Sequence, residues 1–245
     1  MKLNDLADIG FLTWLPLVFF YIVGFVGAFT PSLETEAMAF INSEQYWNVS
    51  ESEQLLIERL EALLWLIGFF AFIFGGYRAK NVGPRVWLAG FSLMCFLALG
   101  EEASWGQHYL GYETPDALAA VNVQNEMNLH NTDLAVVLDV STDSQLYPYL
   151  GNLTHYLNPL FFAFCLCVWG LAPALIRAKW LMGRAALTYP VFETRFYVTL
   201  CGFSALYLIT DQIFFDAGEL LELTLATAGC CFGLLSVSGR YGTLV

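Results

Sequence analysis

Positive charge is scarce in this chain: 10 Lys and Arg stand against 22 Asp and Glu, a formal net charge of −12. That shortage removes the basic footprint that nucleic acid requires and makes anionic headgroups poor partners. Charge of either sign is thin, 13% of residues, where a soluble domain carries about 25%. The sequence has no HExxH, no ExxH of the ferritin-like kind and no CxxC pair, so the local metal signatures are missing. No Cys lies in a polar loop: Cys95, Cys165, Cys167, Cys201, Cys230 and Cys231 all sit in apolar runs. A disulfide framework is therefore not indicated, and the cysteines read as small packing residues. No internal repeat and no matched pair of broken helices is visible, which argues against an inverted-repeat transporter.

What the chain has is apolar bulk. Hydrophobic residues make up 58%, with 21 Phe, 12 Tyr and 7 Trp and a mean hydropathy of +0.58, more than a soluble core needs. Six runs can cross a hydrocarbon layer, at about 10–30, 55–76, 86–108, 147–175, 190–214 and 217–238. The first reads as a spanning helix rather than a cleaved leader, because Asp5 and Asp8 precede it and no small-x-small site follows. The predicted fold is all-α, a polytopic membrane helix bundle of about six spans forming one integral membrane domain over 1–245. Thr114-Pro115-Asp116 has the form of a helix start and predicts a short extracytoplasmic helix over 115–131, within an outer segment at 112–146.

The few basic residues set the orientation. Lys2, Arg78, Lys80, Arg85, Arg177, Lys179, Arg184 and Arg240 fall on one side of the predicted spans, whereas the connections 31–54 and 112–146 contain no Lys or Arg. The positive-inside rule puts the acidic connections outside and both termini in the cytoplasm.

Several acids lie inside the spans. Counted from the basic ends, Glu61 is 17 residues from Arg78, Glu101 is 16 from Arg85, Asp211 is 16 from Arg195 and Glu222 is 18 from Arg240. At 1.5 Å per residue these distances are roughly 24–27 Å, one common level near the outer edge of the hydrocarbon. Glu58, Glu102, Asp216 and Glu219 lie within about a turn of that level. An acid facing lipid costs on the order of 2.5–3.5 kcal/mol, so these should point inward and meet. Two carboxylates about 4 Å apart repel by roughly 4 kcal/mol at an effective dielectric near 20, so a proton, a metal ion or a cation such as Arg59 must neutralise them.

The stretch Gly100-Glu101-Glu102-Ala103-Ser104-Trp105-Gly106-Gln107-His108 is the densest polar signal. Read as a helix, it lines up Glu101, Ser104, Trp105 and His108 on one stripe. Downstream, a helical reading of Asn122–Asn131 puts Asn122, Glu126 and His130 on one face, with Gln124, Asn128 and Asn131 beside them. Glu126 with His130, and Glu219 with Glu222, have spacings that can share one metal ion. The expected metal ligands are Glu101, Glu126, His130 and Glu222, with Glu102 as general base and Ser104 as a second catalytic group. Glu61, Gln107, His108, Asn122, Gln124, Asn131, Asp211 and Glu219 complete the polar site.

The string GEEASWGQ…ETP…NVQNEMNLHN resembles a signature of bacterial multi-pass membrane proteins that reads E-E-x-S-W-G-Q, then T-P, then N-x-Q-x-E-x-N-L-H-N. Glu101, Glu102, Ser104, Gln107, Asn122, Gln124, Glu126, His130 and Asn131 match it. His108 departs from it, since that position is often Arg. The resemblance implies a bacterial cytoplasmic membrane and brings no activity with it. Ser104-Trp105-Gly106-Gln107-His108 is also similar in spacing to the Ser-x-x-x-His zinc element of alkaline ceramidase and adiponectin-receptor-like membrane hydrolases. The second HxxxH element of those seven-helix proteins has no counterpart here.

The function these features predict is a hydrolase or transferase that uses a divalent metal ion and acts on a lipid or lipid-linked substrate at the outer leaflet. Two alternatives have different chemistry. A cation- or proton-coupled transporter would use Glu61, Glu101, Asp211 and Glu222 as a relay. An accessory subunit of a membrane complex would use the polar cluster for helix register and the outer segment to dock a membrane-protein partner. The expected partners are membrane lipids, with no nucleic acid.

Overall fold

The computed structural model describes residues 3–30, 32–33, 37, 56–141, 143–150, 154–180, 183, 188–214, 218–239 and 241–242. Most of the 31–54 connection, with Lys2, Arg184, Asp216 and Arg240, lies outside the described residues.

Apolar runs of about 20 residues become helices because lipid offers backbone groups no other partner. The N-terminal pair is α1 (Leu3–Leu12) and α2 (Leu15–Phe29). Two long helices, α3 (Leu56–Arg78) and α4 (Val82–Glu102), form a hairpin through the Ala79–Asn81 turn. The next span is composite: α5 (Thr154–Cys165), a π-helical segment at Leu166–Leu171, and α6 (Ala172–Arg177). Pro173 has no N–H to give the carbonyl a turn earlier, and the wider π turns sit immediately before it. The last two helices are α7 (Thr194–Ile213) and α8 (Gly218–Ser238). A two-residue antiparallel pair, β1 (Val191–Phe192) with β2 (Tyr241–Gly242), ties the start of α7 to the chain after α8.

Among the described residues, six stretches are long and apolar enough to cross a membrane: Asp8–Phe29, Ile57–Arg78, Val82–Glu102, Pro159–Arg177, Thr194–Ile213 and Gly218–Ser238. The architecture is an all-α multi-pass membrane bundle with α8 as its axle. Within its most apolar window 89% of α8 is buried, against 22–44% for the other five. Small residues permit this. A methyl group on Gly233 would sit 2.9 Å from the Ala71 Cβ and 3.0 Å from the Gly68 carbonyl, so α3 and α8 touch backbone to backbone. Around that contact Trp65, Phe72, Phe91, Trp169, Phe196 and Phe232 fill the core, while Phe19, Phe70, Leu93, Leu160 and Val198 face outward.

Three boundaries differ from expectation. The third span stops at Glu102, not His108. The fourth helix begins at Thr154, not 147, because Tyr147–Tyr149 forms a separate 3-10 turn. In the outer segment the predicted helix over 115–131 is a single turn, Asp116–Ala119; a second turn, Leu134–Val137, follows a loop.

Candidate functional site

The end of α4 is a sharp reversal. Ser104, Trp105 and Gly106 follow one another with φ of 42°, 51° and 90°, a left-handed path that costs a non-glycine residue about 1–3 kcal/mol. Side chains offset that cost. The Ser104 hydroxyl donates to Glu126 Oε2 at 2.8 Å, the Trp105 indole N–H donates to Glu101 Oε1 at 3.0 Å, and the Tyr112 hydroxyl donates to the Trp105 carbonyl at 3.0 Å. Trp105 folds back over Gly100, where a Cβ would lie 2.8 Å from its ring. The helical stripe of Glu101, Ser104, Trp105 and His108 therefore does not exist.

Residues 122–131 are likewise a loop and not a helical face. Asparagines hydrogen-bond their own backbone in turns better than they propagate a helix. Asn122 Oδ1 accepts from the Gln124 and Glu126 amides, both at 3.0 Å, and its amide group donates to the Asn128 carbonyl at 2.9 Å. The ends are closed by Val123 N–H to the Asn131 carbonyl at 2.9 Å and Asp133 N–H to the Val121 carbonyl at 2.7 Å. The Asn131 amide also donates to the Gln124 side-chain oxygen. Gln107 accepts from the Met127 amide at 2.6 Å and donates to Thr114 at 2.8 Å, which in turn donates to the Asn125 carbonyl at 2.6 Å.

Two carboxylates fasten this loop to α4. Glu126 accepts from Ser104, from the Asn128 amide at 2.7 Å, and faces His108 Nε2 at 2.9 Å. Glu101 Oε2 accepts from the Leu129 and His130 amides at 2.7 and 3.1 Å, with His130 Nδ1 at 3.4 Å. Burial opposes charge on the His130 imidazole, but the Glu101 hydrogen bond and the charges of Glu222, Glu101 and Glu126 outweigh it and hold its pKa above the ordinary value.

A different set of acids faces one another. Glu61 of α3, Glu102 of α4 and Glu222 of α8 bring carboxylate oxygens within 4.8 Å of one another, a set able to hold a metal ion. Glu61 is 0% exposed, and neither of its oxygens receives a hydrogen bond. Glu58 and Glu219 are near enough to act electrostatically on Glu61 and Glu102. At 4.8 Å, each ionised pair repels by about 3.5 kcal/mol at an effective dielectric near 20.

Beside the triad, α4 and α5 leave a cavity of about 570 Å³. Its polar end is Glu101, Glu102, His130 and Glu222; the rest is apolar, with Met94, Leu97, Ala98, Leu157, Leu160 and Phe161 among its walls. A smaller void, about 30 Å³, adjoins Glu102 and Glu222 on the side of Trp65.

The sequence expectations divide accordingly. Of the expected metal ligands, Glu222 joins the triad, Glu101 and His130 line the cavity beside it, and Glu126 is committed to its three loop partners. Glu102, expected as a base, and Glu61, expected only as a neighbour, complete the triad. Ser104 is 1% exposed and bonded to Glu126. Gln107, His108, Asn122, Gln124 and Asn131 belong to the loop bracing. Asp211 pairs with Gln212 at 3.0 Å on the Tyr21 side of α7, outside the triad. Thr114, expected as a helix start, and Asn128, expected on the polar face, are instead buried braces of the loop. The cavity walls carry no sequence signal, since Leu and Ala look alike in a wall and a core. Compared with protein-family models, curated proteins and solved structures, the chain matches none.

Proposed function

We propose that the protein is a divalent-metal-dependent hydrolase or transferase that acts on a membrane lipid or lipid-linked substrate at the extracytoplasmic face. The observation that carries this reading is the triad: Glu61, Glu102 and Glu222 converge from three helices, and the buried Glu61 has no donor. Side chains in that arrangement need a proton or a cation among them, and an all-carboxylate donor set suits a hard ion such as Mg²⁺ or Mn²⁺. Bound there, such an ion supplies Lewis-acid polarisation of a carbonyl or phosphoryl oxygen. His130, oriented by Glu101 and lining the cavity, exchanges a proton with the reacting group. Trp105 and, from the braced loop, Leu129 and His130 line the polar end. The basic ends of α3 and α6, at Arg78 and Arg177, and the Lys80 turn lie away from the triad, which favours the outer face for the site and the cytoplasm for the termini.

Metal analysis and thermal unfolding of the full chain in detergent test this. A ligand at about 100 times its Kd stabilises by roughly 2.7 kcal/mol, and each kcal/mol shifts Tm by about 2–4 °C at this chain length. The wild type should retain about one divalent ion, lose roughly 5–10 °C of Tm on chelation, and cleave or transfer groups on extracted membrane lipids. Glu61→Gln and Glu222→Gln should abolish ion retention and activity, and their Tm should no longer respond to chelator. A wild type free of metal and indifferent to chelator overturns the reading.

A further inference from the structure

We infer that the cavity between α4 and α5 is a slot for one hydrocarbon chain of a bilayer lipid, which enters sideways from the membrane and places its polar head against Glu101, Glu102, His130 and Glu222. This deepens the proposed function and rests on it for the role of the polar end. The slot itself stands on separate observations. Its volume, about 570 Å³, falls within the range of small-molecule sites, about 300–1,000 Å³. Most of its apolar walls, at Met94, Leu97, Ala98, Leu160 and Phe161, come from two spans, Val82–Glu102 and Pro159–Arg177, so the medium beside them is lipid rather than water.

The mouth and the interior can be told apart. Leu97 is 48% and Leu160 66% exposed, at the outer margin, whereas Met94, Ala98 and Phe161 are half-buried along the wall. α4 packs on α3, and α5 reaches the bundle through α8; the gap between α4 and α5 is bridged near the polar end by Leu129 and His130 of the braced loop. An empty apolar gap would forfeit dispersion contacts on every wall. A bilayer chain restores them without leaving an apolar medium. The gradient from apolar walls to a carboxylate and imidazole end matches a lipid, which is apolar along its tail and polar at its head. A soluble substrate would meet none of the polar partners it needs along those walls.

The test uses the full chain in vesicles of phosphatidylethanolamine and phosphatidylglycerol containing a trace of phosphatidylethanolamine with a diazirine in one acyl chain. After irradiation, crosslinks are mapped by peptide mass spectrometry and metal content is measured in parallel. The expected result is labelling at Met94, Ala98 and Phe161 above that of the outward-facing Val198 and Phe70, and its loss in Ala98→Trp and in the milder Ala98→Phe while bound metal is retained. Labelling of those wall residues no stronger than of Val198 in the wild type, or wall labelling that survives both substitutions, overturns the slot and leaves the metal reading intact. Wall-specific labelling of a wild type that holds no metal upholds the slot and removes the catalytic reading instead.

Discussion

What a carboxylate does in this protein follows from the donors that reach it. Glu126 meets Ser104, Asn128 and His108, and Glu101 meets an indole N–H, two backbone amides and an imidazole. Both have their oxygens occupied by donors, so they act as fasteners. Glu61 meets no nitrogen or hydroxyl donor, only the carboxyl groups beside it, which is why it points to a cation or a shared proton. The distinction predicts unlike mutants. Glu126→Ala strands three donors, each worth about 1–3 kcal/mol when left without an acceptor, and frees the strained Ser104-Trp105 turn. Hydrogen exchange of the 122–132 amides should accelerate strongly in Glu126→Ala. The exposed Asp143→Ala, away from the braces, should leave those amides unchanged. Equal exchange in the two variants would mean that the loop is held by its asparagines alone.

At the level of elements, the sequence makes heights along the bundle legible and hides directions around it. Runs of about 20 apolar residues can only be spans, and counting from Arg78 and Arg85 puts the acids at one level. Counting does not say which of two adjacent glutamates turns toward α8. Glu101 and Glu102 differ by about 100° around α4, and Glu102 takes the triad while Glu101 takes the loop. The false helix over 122–131 has a similar origin: a spacing of four links Asn122, Glu126 and His130 in a stretch whose asparagines favour turns. One directional signal was readable. Gly229-Cys230-Cys231-Phe232-Gly233 is a GxxxG string, the pattern of close helix contact in membranes, and it packs on Gly68 and Ala71. Gly233→Val must drive its side chain into the Gly68 carbonyl, and overpacking of this kind costs about 1–3 kcal/mol or more. Gly202→Ala of α7, with nothing within 4 Å of the added carbon, should be neutral or slightly stabilising. Unfolding in mixed micelles compares them, and an equal midpoint for Gly233→Val and wild type would contradict the close contact.

Across the whole molecule, one charge asymmetry predicts which compartment the proposed site faces. Arg78, Lys80 and Arg177 mark one end of the bundle, and the triad, the braced loop and the polar end of the cavity mark the other. Basic residues in short loops are retained on the cytoplasmic side because carrying them across the bilayer is unfavourable, whereas acids contribute little to orientation. A fluorescent reporter that matures only in the cytoplasm should therefore be bright when fused after Val245. An alkaline phosphatase that folds only outside should be active when inserted in the exposed stretch near Asp143. If the pattern is reversed, the same triad would work on the cytoplasmic leaflet. Replacing Lys80 and Arg85 by Gln while adding Lys at Gln145 then separates cause from coincidence. Should charge bias govern insertion, these changes produce a mixed or inverted population; should the helices insert by packing alone, the reporters keep their original sides.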